Sequence, residues 1–286
     1  MELQRRHVHR HCRVYAHRAL TGLALLAVAG GLPRPVAAQV SVEVSPLRVE
    51  VTMGSGGTHT QAVRLANQGT EPVRIHARVD DWYLSKDGTP QFKGVDAADP
   101  FSAAAWVRLN PPELVVKPGA EGTIRFTTTA PKDTVEGGYR TSIMFEFSPE
   151  SEDLASRGRQ VAFRGRIATL VYVTVGKPVP AVDLIDLQIR TPQGQPAQIV
   201  ATLKNSGRVQ VRIKGTATVS GSTGKIVRQL TLPDVPVLPM SERDVAIPTA
   251  GEKQEPLPPG EYRVEVKIDV GLPALLVGET TMKLGA

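Results

Sequence analysis

Cysteine is almost absent from this 286-residue chain. The only one, Cys12, lies before the first apolar run. That position excludes a lipid-anchoring cysteine after the run, and one cysteine closes no intramolecular disulfide. The folded part must therefore hold together by burying apolar surface alone. Histidine is nearly as scarce. Four of the six fall within the first 38 residues, leaving His59 and His76. His76 sits in an alternating strand pattern and His59 in a stretch read as a glycine-rich loop. Neither has the setting of a catalytic base, and no motif adds carboxylates to make a zinc site. Asp80 and Asp81 are the only acidic pair beside an aromatic, Trp82. Adjacent strand residues point to opposite faces, so they cannot share acid–base work. A P-loop and a dinucleotide fingerprint are also missing. An enzyme is not expected, and neither is a cofactor or a metal.

Long hydrophobic runs are lacking too. The longest, Ala19 to Leu32, is too short to span a bilayer, so no stable membrane insertion is expected. It follows Arg5, Arg6, Arg10, Arg13 and Arg18 and precedes Val36-Ala37-Ala38, a small-residue cleavage pattern. Residues 1–38 thus read as a secretory signal peptide, with Gln39 as the first mature residue. The charge argument changes with its removal. Six of 34 basic and one of 28 acidic residues leave, so 28 basic stand against 27 acidic residues, a net of +1. Nothing in that balance points to a nucleic acid or an anionic surface as partner.

What is present is a pattern that occurs twice. Leu65 to Ile75 and Leu203 to Ile213 both read L-x-N-x-G-x-x-x-V-R-I. Each is followed by an echo, Gly138-Tyr139-Arg140 and later Glu261-Tyr262-Arg263. Short apolar runs broken by Gly, Pro, Asn and Asp recur throughout, and no helical period appears. Strands are expected near Ser41–Val51, Thr60–Asn67, Val73–Trp82, Ala105–Leu109, Gly122–Thr129, Tyr139–Phe147 and Gln160–Val175. A second set is expected near Val182–Arg190, Ala197–Asn205, Val211–Ser220, Lys225–Leu232, Arg243–Ile247, Tyr262–Val270 and Val277–Leu284. Lys86–Ala104 and Ser148–Gly158 read as exposed loops. The pattern predicts an all-β protein of two tandem Ig-like β-sandwich domains, 39–175 and 181–286. The proline-stiffened linker 176–180 joins them. Tyr139 and Tyr262 sit where a tyrosine corner would bond back to upstream backbone.

The longest strand candidate carries the binding expectation. Val161, Phe163 and Ile167 share one face, with Arg164 and Arg166 on the other. An overhanging edge with an apolar row is a template for another strand, and also for self-association. The same row can equally face the domain's own core, and periodicity leaves both open.

The first domain resembles the PapD-like periplasmic pilus chaperones over about residues 40–175. The shared residues are Val44-Ser45-Pro46-Leu47-Arg48-Val49, Leu65-x-Asn67, Trp82, the Leu109-Asn110-Pro111-Pro112 to Pro118-Gly119 segment, and Leu170-Val171-Tyr172. The resemblance implies a long strand that fills the groove of an unfinished pilus subunit. It also implies a cleft Arg and Lys that hold the subunit's terminal carboxylate. The arginine carries over to Arg48. At the lysine position stands Thr169, and Arg166 has the opposite parity. Gly165 leaves a gap in the apolar row, and Val173-Thr174 replaces the family's Arg-Pro.

The expectation is therefore a periplasmic chaperone-like protein that binds exported pilus or envelope subunits by β-strand addition. Its partner-binding residues would be Arg48, Val161, Phe163, Gly165, Ile167 and Thr169. The missing lysine and Gly165 favour an alternative, an Ig-like envelope adhesion or scaffold module without a chaperone cycle.

Overall fold

The computed structural model describes residues 41–96, 98–149, 164–250 and 255–285. Val161 and Phe163 lie outside them, as do the expected signal peptide and most of the 148–158 loop. The described residues form nineteen strands and one short 3-10 turn, Ala104–Trp106.

Alternation builds the sheets. In the strand Val73–Leu84, Val73, Ile75 and Ala77 are buried while Arg74 and His76 face solvent. The first ten strands are β1 (Val42–Ser45), β2 (Arg48–Met53), β3 (Thr58–Asn67), β4 (Val73–Leu84), β5 (Pro90–Lys93), β6 (Val107–Asn110), β7 (Glu113–Val116), β8 (Glu121–Thr129), β9 (Gly137–Pro149) and β10 (Gly165–Val175). They make two sheets, β1-β3-β8-β6 and β2-β10-β9-β4-β5, with β7 also on β4. Val63, Leu65, Ile124 and Phe126 of one sheet meet Ile75, Ile143, Phe145 and Val171 of the other in one core.

Nine further strands form a second sandwich. They are β11 (Val182–Arg190), β12 (Gln198–Asn205), β13 (Val211–Arg212), β14 (Lys214–Gly221), β15 (Ile226–Thr231), β16 (Pro236–Val237), β17 (Ser241–Pro248), β18 (Gly260–Asp269) and β19 (Leu276–Leu284). The sheets are β11-β12-β17 and β15-β14-β18-β19, with the small pair β13-β16. Ile199, Leu203, Val219, Val264 and Ile268 are central to its core.

Several expectations change. Ser41–Val51 is not one strand: at Pro46-Leu47 it crosses from the first sheet to the second, as β1 and β2. Proline lacks the amide that would continue the β1–β3 ladder, which ends at Ser45. Val211–Ser220 likewise divides into β13 and β14. Lys86–Ala104 is not all loop, because β5 pairs with the end of β4. His59 lies in β3, not in a loop.

The duplicated sequence performs the same task in both sandwiches. Asn67 Nδ2 donates to the carbonyls of Glu71 and Val116 at 2.7 and 3.0 Å, while its Oδ1 accepts from Gly69 N–H at 2.9 Å. Asn205 Nδ2 donates to Val209 and Val237 at 2.8 and 3.1 Å, and its Oδ1 accepts from Gly207 N–H at 2.9 Å. Each buried amide satisfies three backbone groups where a strand leaves its sheet. The tyrosines are duplicated in function as well. Tyr139 donates to Val135 O and Tyr262 to Pro258 O, both at 2.7 Å.

Removing either hydroxyl strands a carbonyl at the entry of a central strand. Tyr139→Phe and Tyr262→Phe are each expected to cost about 1–2 kcal/mol, read from denaturant unfolding midpoints. An unchanged midpoint for both would mean that the corners contribute nothing.

Candidate partner-binding edge

β10 has two edges of unequal fate. Along its whole length it pairs antiparallel with β9, from Gly165↔Phe147 to Val175↔Gly137. On the other side β2 runs parallel to it, but only from Leu170↔Arg48 to Val175↔Met53. Among the described residues, 165–168 thus have a sheet partner on one side only. The Leu170 N–H points to the β2 side, donating to Leu47 O at 2.9 Å. Alternation puts the amides of Ala168 and Arg166 on that same side, beyond the end of β2.

The expected site residues fall around this half-edge. Ile167 is half-buried at the margin of the first core, with the parity of Val171 and Val173. Gly165 leaves no gap. A Cβ there would lie 2.0 Å from the Phe147 ring, so the ring of the neighbouring strand occupies the place of the missing side chain. Thr169 is buried, and its Oγ1 donates to Pro46 O at 2.8 Å, tying the start of β2 to β10. Arg48 is half-exposed at the point where β2 begins, and its Nε lies 3.2 Å from Glu50.

Arg48 and Glu50 share a face with Tyr172, the centre of a joint to the second sandwich. Trp82 and Tyr172 meet edge to face at 5.4 Å, and Leu238 of the second sandwich packs against both. Trp82 Nε1 donates to Thr141 O at 2.9 Å. Around the Tyr172 hydroxyl act the charges of Arg212, Glu50, Arg48 and Arg243. Positive charge near Arg48 therefore comes from the second sandwich, not from a β10 lysine. Arg212 is held by Asp234, Nε to Oδ1 at 2.8 Å. Arg243 is buried against the β4–β5 turn: a Cβ on Gly88 would lie 2.4 Å from its guanidinium. Beside it, the Asp244 N–H donates to Lys86 O at 2.7 Å. A second bridge joins Gly138 N–H to Arg208 O at 2.6 Å.

Asp80 and Asp81 do face opposite ways. Asp80 pairs with Arg78 on the outer face. Asp81 accepts from Asp96 N–H and the Ser102 hydroxyl, both at 2.7 Å, and so ties Asp96 and Ser102 to β4. Sequence reasoning missed Leu238 and Arg243, since neither carries a motif. Arg212 does have a signal: it is the arginine of the repeated V-R-I.

Burial pushes the Tyr172 hydroxyl up to about 12. A tyrosine in the unfolded chain ionises near 10. Between those values the folded state keeps a proton that the unfolded state has lost, so stability falls as pH rises through this window. Wild type is expected to lose up to about 1.4 kcal/mol more per pH unit than Tyr172→Phe over this range. Denaturant midpoints at pH 9 to 12 read the difference, and parallel profiles would mean an ordinary, solvated hydroxyl.

No protein-family model matches the sequence, and no curated protein does. Among solved structures the chain is similar to a chain of a chaperone–tip adhesin complex of CFA/I fimbriae biogenesis. The TM-score is 0.45 at 14% identity, over 84% of this chain and 98% of that one. It is also similar to the class 5 fimbriae chaperone CfaA, with a TM-score of 0.45 at 12% identity over 86% and 100%. A third is the CsuC–CsuE chaperone–tip adhesion subunit pre-assembly complex of Acinetobacter baumannii, with a TM-score of 0.42 at 15% identity over 84% and 97%.

Proposed function

We propose that this chain is a periplasmic chaperone-like protein that binds exported pilus or envelope subunits by adding its β10 edge to an unfinished sheet. The observation that carries this reading is the early end of β2. Among the described residues it leaves the backbone of Arg166 and Ala168 without a sheet partner on one side, beside the half-buried Ile167. An open edge next to an apolar row is what strand addition requires: main-chain bonds supply affinity and alternate side chains supply fit. Val161, Phe163 and Ile167 would enter the client's groove, with Phe147 covering the position of Gly165. Arg48 stands where the free edge ends and would anchor a carboxylate, with Arg212 and Arg243 adding to the local positive potential. Binding of this kind needs no cofactor. The exchange draws on the client's own folding free energy.

A second reading, an envelope scaffold without a client cycle, draws on the position of Thr169. Its hydroxyl is committed to Pro46 and offers no cation.

Ala168→Pro separates the two. The substitution removes an amide on the β2 side, beyond the end of β2, and leaves the β9 ladder intact, which an edge position tolerates. Capture of a pilin-type subunit lacking its last strand is expected to weaken about ten-fold, with an unchanged fold by circular dichroism. In wild type, the Arg166 amide should exchange fast alone and slowly with the subunit. Slow exchange in the lone monomer would remove the chaperone reading and leave the scaffold.

A further inference from the structure

Beyond the end of β2, the outer face of β10 is not flat. Arg166, Ala168 and Leu170 point to that face, opposite in parity to Ile167. Ala168, the smallest of the three, is the low point, and it stands directly opposite Met144 of β9. Met144 in turn stands opposite Arg78 of β4. Over this row lies a depression of about 420 Å³. Met144, Ala168 and Leu170 give it an apolar floor, and Phe92 and Gly94 line its far side, in and just after β5. Three cations also line it, and each is already paired. Arg78 bonds to Asp80 and lies 3.4 Å from Glu146. Arg166 lies 3.0 Å from Glu146, and Lys93 lies 2.9 Å from Asp96. The walls are thus polar but locally neutral.

We infer that this depression receives a large apolar side chain, Phe or Tyr, from the client strand at the position opposite Ala168, an inference that rests on the strand-addition reading. A strand added beside β10 lies about 4.8 Å away, and its side chains alternate between the two faces of the sheet. One set would join Ile167 at the core margin. The other would stand beside Arg166, Ala168 and Leu170. Directly opposed side chains on one face sit about 5 Å apart and diagonal ones about 7–8 Å, within reach of an aromatic ring. Ala168 leaves room for a ring to lean across it onto Met144, whose flexible thioether makes favourable contacts with aromatic edges. The paired walls select against a charged side chain. A carboxylate or ammonium would have to displace a partner already in place, for little gain at a solvated position. A ring can instead lie against the stems and guanidinium planes of Arg78 and Arg166. The client must therefore satisfy both faces of the β10 edge, not only the row that complements Ile167.

The test is fluorescence anisotropy with two short labelled strand peptides. One alternates Val and Thr, and in the other a central Thr is replaced by Phe. The Phe peptide should bind wild type about five- to ten-fold more tightly. Two variants fill the depression: Ala168→Leu, which keeps the backbone amide, and Gly94→Phe, at a position where an added Cβ meets no atom within 4 Å. Each should bring the two peptides to equal affinity. Hydrogen exchange at the Arg166 amide tells the two possible failures apart. If the Val–Thr peptide slows that amide but Phe adds no affinity, or adds it undiminished in both variants, the pocket is overturned and strand addition stands. If neither peptide slows the amide, both are overturned.

Discussion

The rest of this molecule depends on where β2 stops along β10. A strand's backbone must be paired or hydrated on both sides. β9 settles one side of β10 completely. β2 settles the other only from Leu170 onward, because it first has to cross from the sheet of β1 at Pro46-Leu47. The crossing is pinned twice, by Thr169 Oγ1 on Pro46 O and by Leu170 N–H on Leu47 O. One half of β10 is thereby built into the sandwich and faces the second domain. The other half pairs only with β9 among the described residues. The strand-addition reading follows from that division, and so does the position of Arg48 at the boundary.

The two sandwiches are held by repeated devices and joined by unrepeated ones. Within each, a buried Asn closes the turn after a core strand, and a Tyr hydroxyl closes the entry to another. Hydrogen bonds of this kind contribute only about 1 kcal/mol each, but a buried amide left unpaired costs more, so the devices specify geometry more than they add stability. The joint has no such symmetry. Trp82 and Tyr172 come from the first sandwich and Leu238 from the second. Arg243 lies flat against Gly88, where any side chain would displace it. Two backbone bonds, Asp244 to Lys86 and Gly138 to Arg208, bracket that contact.

Thr169 and Gly165 show how the meaning of a residue changes with its neighbours. In the sequence each reads as a departure from the pattern of a client-binding strand. In the fold, Thr169 is the hydroxyl that fastens β2, and Gly165 is the space that Phe147 needs.

By itself, the sequence determined the all-β character, the duplication and most strand positions. Alternation of apolar residues, Asn-x-Gly turns and prolines act locally, over a few residues. It likewise determined that no intramolecular disulfide holds the fold, since the chain has one cysteine. Only the tertiary structure decided which half of β10 pairs with β2, and that the second sandwich supplies the arginines beside Arg48. Those outcomes rest on pairings between residues more than a hundred positions apart, such as Arg48 with Leu170. No local pattern encodes the partner of a strand edge.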